Sequence, residues 1–169
     1  LHDALPICRT DFPTETVTAV QTLARAVRTS IPGGEAAAEA VDQQNYLALV
    51  DLFTDDASLV RPGGLALNGR AEILAAYQSK DANRLTQHLI CQQSIQVSPA
   101  GVAQSRCKVL LYAADRQREL RPKGRMADAQ HQVGVIEDQL LLTDDGWKIQ
   151  NRLAWFELLA SSENHIARA

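Results

Sequence analysis

The sequence predicts an α+β domain in which helices come first and a curved antiparallel sheet follows. Three observations carry that prediction. Apolar residues recur at helical spacing through the first half of the chain, four long strand-like runs fill the second half, and the turns at both ends of that half have hairpin chemistry. At 169 residues, the chain suits one domain, large enough to bury a core without metal or disulfide staples.

Residues 14–28 place Val17, Val20, Leu23, Ala24 and Val27 at helical spacing, with Thr14 positioned to cap them, until SIPGG at 30–34 breaks the pattern. This helix could pack on the domain, cover a cavity mouth or belong to a dimer contact. The stretch from Glu35 to Val41 is alanine-rich and helix-forming. Asp42, Gln43, Gln44 and Asn45 interrupt it before YLALVDLF resumes the helical pattern, with Asn45 as its cap. Asp55 and Asp56 end that second piece, ASLV reads as a short strand, and Pro62-Gly63-Gly64 reads as a turn. After Asn68-Gly69, RAEILAAYQS returns to helical spacing.

From Arg84 the chain reads as strands: RLTQHLICQQSIQV, VAQSRCKVLLYAA, HQVGVIEDQLLL and GWKIQNRLAWFELL, suited to an antiparallel meander. Ser98-Pro99-Ala100-Gly101 makes the first turn and Thr143-Asp144-Asp145-Gly146 the last. The middle connection, DRQRELRPKGRMADA, is rich in Arg and Lys. Its first part, residues 115–125, is either a flap over an anionic ligand or a solvated charged hairpin. The expected organisation is a leader with one extra helix at 1–33, the main domain at 34–160 and a tail at 161–169.

Composition excludes several classes. Seventeen basic and twenty acidic side chains give a net charge of −3, which offers no global attraction for nucleic acid or an anionic membrane. Cys8, Cys91 and Cys107 are odd in number and form no CxxC pair, so neither a disulfide framework nor a zinc knuckle is expected, and a reducing cytoplasm fits best. No apolar run approaches the ~20 residues that span a bilayer. The chain starts without Met, and LHDALPI resembles translated adaptor sequence in front of environmental reading frames. Residues 1–7 are therefore expected to be non-native, the source bacterial and metagenomic, and His2 and Cys8 without functional weight.

The segments VDQQNYLALVDLFTDDA, LNGRAEI, TQHLI and DQLLLTDDGWKIQNR resemble the SnoaL-like branch of the nuclear transport factor 2-like superfamily, over about residues 35–159. The resemblance implies a cone: helices closing a strongly bent sheet around an apolar pocket, commonly in homodimers formed through the sheet's outer face. Within the branch the chain is similar to the scytalone dehydratase and dehydrochlorinase families, which implies a catalytic pair in Asp42 and His88, with the His removing a proton while a leaving group departs from the neighbouring carbon. An imidazole with a reference pKa near ~6.5, oriented by a carboxylate, is a useful base at neutral pH. Tyr112 stands where the dehydratases have a second pocket histidine, Val135 and Glu137 fall near their polar pocket residues, and Val41 precedes the Asp where they have a tyrosine.

Strand alternation poses a question about His88. Leu89, Cys91, Ile95 and Val97 share one face, and Thr86, His88, Gln92, Ser94 and Gln96 the other, so simple alternation turns His88 outward. A β-bulge between Ile90 and Gln93 would switch faces; alternatively, the polar face lines a cavity. Tyr112 and Tyr46 are candidates for hydrogen bonding to a substrate oxygen, although Tyr46 has the spacing of a core residue. Arg106 is a weak pocket candidate. Glu137 and Asp138 are adjacent, so at most one enters a cavity; it would serve as a general acid, or else form an exposed charge or an ion pair with Arg152. No metal motif is present, and neither metal nor cofactor is expected.

These features point to a cofactor-independent lyase or isomerase acting on a small, mostly apolar molecule. Hydrolysis of the epoxide-hydrolase kind is disfavoured, since its acid-Arg-acid constellation is not evident. The alternative is a noncatalytic ligand-binding or assembly module, including a role like that of the small subunit of ring-hydroxylating dioxygenases.

Overall fold

The computed structural model describes Ile31 and residues 33–161. The helix expected at 14–28 and tail residues 162–169 lie outside the described residues.

Helix α1 (Gly34–Asp42) buries Gly34, Ala37, Ala38 and Ala40, and these small side chains let it lie close on the sheet. At Gly34 an added Cβ would come 2.9 Å from Cys107 Sγ. Gln44 turns the chain with φ 57°, and the Asn45 side chain caps helix α2 (Tyr46–Asp51) by accepting the Ala48 amide at 3.2 Å. The sequence pattern carries α2 on to Phe53, but strand β1 (Phe53–Val60) begins there instead. The reason is long-range: the Ile149 amide donates to the Leu52 carbonyl at 2.7 Å, and Phe53 pairs with Ile149, both fully buried. Tertiary pairing outweighs local helical preference, and Asp55 and Asp56 become exposed strand residues. A strand absent from the sequence reading, β2 (Ala66–Asn68), pairs back on β1. It leads into helix α3 (Gly69–Gln78), where Glu72 reaches back to accept the Asn68 amide at 2.8 Å.

Four long strands follow: β3 (Arg84–Val97), β4 (Val102–Asp115), β7 (Gln130–Thr143) and β8 (Gly146–Ser161), with a small hairpin of β5 (Leu120–Arg121) and β6 (Gly124–Arg125) between β4 and β7. The order in the curved six-stranded sheet is β2-β1-β8-β7-β4-β3. All neighbours are antiparallel except β1 and β8, which run parallel. Strand β3 is thus an edge, and α1 packs against it.

Bulges set where each strand points its side chains. In β3 the register shifts between Cys91 and Ser94, and Gln92 has φ 51°. Ahead of this bulge Thr86, His88 and Ile90 are the more buried residues; after it Gln93 and Ile95 are. One extra residue therefore switches the inward set from even to odd numbers. A second bulge lies where Gly134 pairs with Phe156 while Val133 pairs with Leu158.

Cross-strand register orders the inner face into layers. Ala103, Leu140 and Ile149 form a closed core layer with Phe53. Above it Ser105, Asp138 and Arg152 form a buried polar layer. The guanidinium donates to Asp138 through Nε at 2.6 Å and Nη2 at 2.7 Å and lies 5.6 Å from the Phe53 ring centre. Burial pushes Arg152 down, but the Asp138 carboxylate more than reverses this, so its pKa is raised and its charge is fixed. The following layers, Cys107, Ile136 and Ala154, then Val109, Gly134 and Phe156, then Leu111 and His88, open into a cavity. Burial holds the Cys107 thiol up at about 11, which keeps it un-ionised.

A Cβ on Gly134 would collide with the Trp155 carbonyl oxygen. Gly134→Ala should therefore destabilise the fold by about 1–3 kcal/mol, measured by urea unfolding; an unchanged midpoint would show that the bulge relaxes freely.

Candidate functional site

Asp42 is the last residue of α1, where the helix dipole disfavours a carboxylate and no basic side chain offsets it. Three donors from β3 compensate. Thr86 Oγ1 donates to Asp42 Oδ1 at 2.7 Å, the His88 amide donates to Oδ2 at 2.8 Å, and His88 Nδ1 lies 2.6 Å from Oδ1. Burial pushes the Asp42 carboxyl up, but the bonds from the His88 ring, the His88 amide and Thr86 outweigh it, so its pKa lies below the ordinary 3.8. The carboxylate occupies Nδ1 and leaves Nε2 as the free ring nitrogen. Side-chain exposure is 19% for His88 and 13% for Asp42, enough shelter to fix the ring while leaving it reachable.

His88 lines a cavity of about 330 Å³, within the size range of small-ligand pockets. Val41, Leu59, Val109 and Leu111 supply apolar walls, Tyr77 from α3 lines one side, and Arg61, Leu65 and Lys80 stand at the rim. Burial pushes the Tyr77 hydroxyl up, against the pull of Arg152 and Arg61, which keeps it a neutral donor. On its other side the pair borders a surface groove with Glu35, Glu39 and Gln43.

Other residues singled out from sequence are placed elsewhere. Tyr112 is a correction: β4 points its odd residues from Ala103 to Val109 inward, so Tyr112 lies on the outer face, its ring 4.3 Å from that of His131. His131 Nδ1 is buried without a hydrogen-bond partner among the described residues. Arg106 is also outward, ion-paired with Glu137 and 5.7 Å from the Trp155 ring centre, and the two line a separate pocket of about 630 Å³ and not the cavity of His88. Asp138 points inward, but both its oxygens are taken by Arg152, so it has no place as a free general acid. Tyr46 does not line the cavity; it packs on Tyr77 with ring centres 5.7 Å apart.

Sequence reading missed Thr86, Tyr77, Arg61 and Lys80. Thr86 had a legible signal, standing two residues before His88 on the same strand face. The other three come from separate elements and only the fold gathers them. No group of three or more His, Cys, Asp or Glu side chains suited to a metal ion occurs among the described residues.

Comparison with known proteins locates this site in a family. A dehydrochlorinase of hexachlorocyclohexane (type 2) superposes with a TM-score of 0.66 at 14% identity, covering 85% of this chain and 92% of its own. A provisionally assigned dehydratase of the nuclear transport factor 2-like family from Streptomyces avermitilis gives 0.63 at 21% identity, covering 84% and 99%. A provisionally assigned scytalone dehydratase from Novosphingobium aromaticivorans gives 0.63 at 17%, covering 93% and 99%. These likenesses establish the nuclear transport factor 2-like fold. No curated protein is significantly similar to the chain. The family model of the SnoaL-like domain matches residues 34–153, a span that includes Asp42, the whole of β3 and the rim of the cavity, and the chain therefore belongs to the SnoaL-like family.

Proposed function

We propose that the protein is a cofactor-independent lyase or isomerase whose general base is His88. The carrying observation is the hydrogen-bonded Asp42–His88 pair at the wall of an open, largely apolar cavity. For this role His88 is neutral, its Nδ1–H donates to the Asp42 carboxylate, and Nε2 is the ring nitrogen left to act on a substrate. A substrate C–H bond breaks with its proton passing to Nε2, and Asp42 stabilises the imidazolium as it forms. In an elimination the released electron pair forms a C=C bond and the leaving group departs with its own pair. In an isomerisation the proton returns to a different carbon. The Tyr77 hydroxyl takes the hydrogen-bonding role that the sequence assigned to Tyr112. The open cavity favours this reading over an assembly module, for which a pocket filled by side chains would suffice.

The outer sheet face is the proposed homodimer surface, since Leu153 and Leu158 stand 43% and 63% exposed there. Sedimentation should give a dimer, and Leu158→Glu should weaken it; a wild-type monomer at micromolar concentration excludes it.

Incubation of the protein in D₂O with a panel of small carbon acids, followed by mass spectrometry, tests the base. His88→Ala and Asp42→Asn should each slow deuterium uptake by about 100-fold or more while the fold is retained by circular dichroism. Wild-type exchange rates in either variant would remove His88 from the role.

The dyad also links stability to pH. Because the folded pKa of Asp42 lies below 3.8, its contribution is fully present above that value and is lost as pH falls through the folded pKa. The stability gap between wild type and Asp42→Asn should narrow as pH falls below 3.8, as followed by urea unfolding; a constant gap would contradict the assigned hydrogen bonds.

A further inference from the structure

We propose that the substrate is an anion: a small apolar skeleton carrying a carboxylate or equivalent localised negative charge, held at the cavity rim by Arg61 and Lys80. This deepens the reading of His88 as base and rests on it for the reaction, though not for the binding.

The charge inventory of the cavity is one-sided. Arg61, Lys80 and Arg152 line it, and no Asp or Glu does among the described residues. Two carboxylates stand just behind the lining, and both are committed. Asp138 gives both oxygens to Arg152, and Asp42 bonds Thr86 and His88. On the outer sheet face the chain pairs its cations, Arg106 with Glu137 and Lys108 with Glu157. At the rim it does not: neither Arg61 nor Lys80 joins any ion pair found among the described residues.

These two cations are also brought together. Lys80 Nζ lies 4.3 Å and Arg61 Cζ 5.5 Å from the centre of the Tyr77 ring. The ring face partly stabilises each charge, yet two like charges around one ring repel each other. Burial and the neighbouring Arg61 accordingly push the Lys80 ammonium down, against the pull of Asp42. A bound anion relieves that repulsion, and its apolar body would extend over Tyr77 towards Leu111 and His88.

The arrangement also suits the chemistry. When His88 takes a proton from carbon, negative charge develops on the substrate, and a nearby carboxylate opposes it. Cations that neutralise the carboxylate remove this opposition, and they are in place before the proton moves.

Isothermal titration of the full chain with naphthalene-2-carboxylate and with its neutral isostere naphthalene-2-carboxamide provides the test. The carboxylate should bind at least about tenfold more tightly, the worth of one charge-assisted hydrogen bond. The double variant Arg61→Gln/Lys80→Met should lose that preference, and His88→Ala should keep it. Added salt, from about 0.05 to about 0.5 M, should weaken binding of the carboxylate and not of the amide, a readout that needs no variant to fold. Equal affinities, no carboxylate binding at millimolar concentration, salt-insensitive binding, or a preference that survives the double variant would each overturn the proposal. Normal deuterium exchange in His88→Ala would instead sink the base while leaving the anion site intact.

Discussion

The Asp42 carboxylate is the point on which the cavity and its chemistry depend. It sits at the unfavourable end of a short helix, and three hydrogen bonds from the edge strand hold it there. Those bonds perform two tasks together. They take up the His88 amide of an edge strand, a group otherwise open to pairing with another chain, and they fix the His88 ring with Nε2 free. Replacing the carboxylate would weaken the hold on helix end, edge and imidazole together without unfolding the domain.

The bulge at Gln92 makes this geometry compatible with a core. A strand of regular alternation could place either Thr86, His88 and Ile90 inward or Gln93 and Ile95, but not both. With the bulge, one half of β3 lines the site and the other half continues the inner face, where Gln93 donates to Ser105 at 3.3 Å. The buried Arg152–Asp138 pair separates the solid core layer from the open layers. Burying both ions in a bidentate pair contributes little net stability, yet loss of either partner would leave an uncompensated charge beneath the cavity floor.

Much of this architecture was legible because it rests on local patterns. The four long strands begin and end within a few residues of where β-rich runs and turn residues place them, and Asn45 caps as its side chain chemistry suggests. The misreadings share a cause. Phe53 joins a strand because of Ile149, almost a hundred residues away, and Tyr112 turns outward because of the register of β4 against β3 and β7. His88 was ambiguous until the position of one extra residue was known. Arg61, Tyr77 and Lys80 carry no common signal, since a turn, a helix and a residue just past its C-cap meet only in the folded chain.

Base and ligand choice have different physical carriers. The dyad belongs to one helix end and one edge strand, and on the proposed reading it would take a proton from carbon without specifying the molecule that bears it. Apolar walls from four other elements set shape, and the two rim cations set charge. A dyad can therefore be kept while the rim is exchanged, because neither Arg61 nor Lys80 supports the hydrogen bonds that position His88. In this chain Arg61 and Lys80 would meet a ligand's charge while His88, on a different element of the same lining, would take its proton.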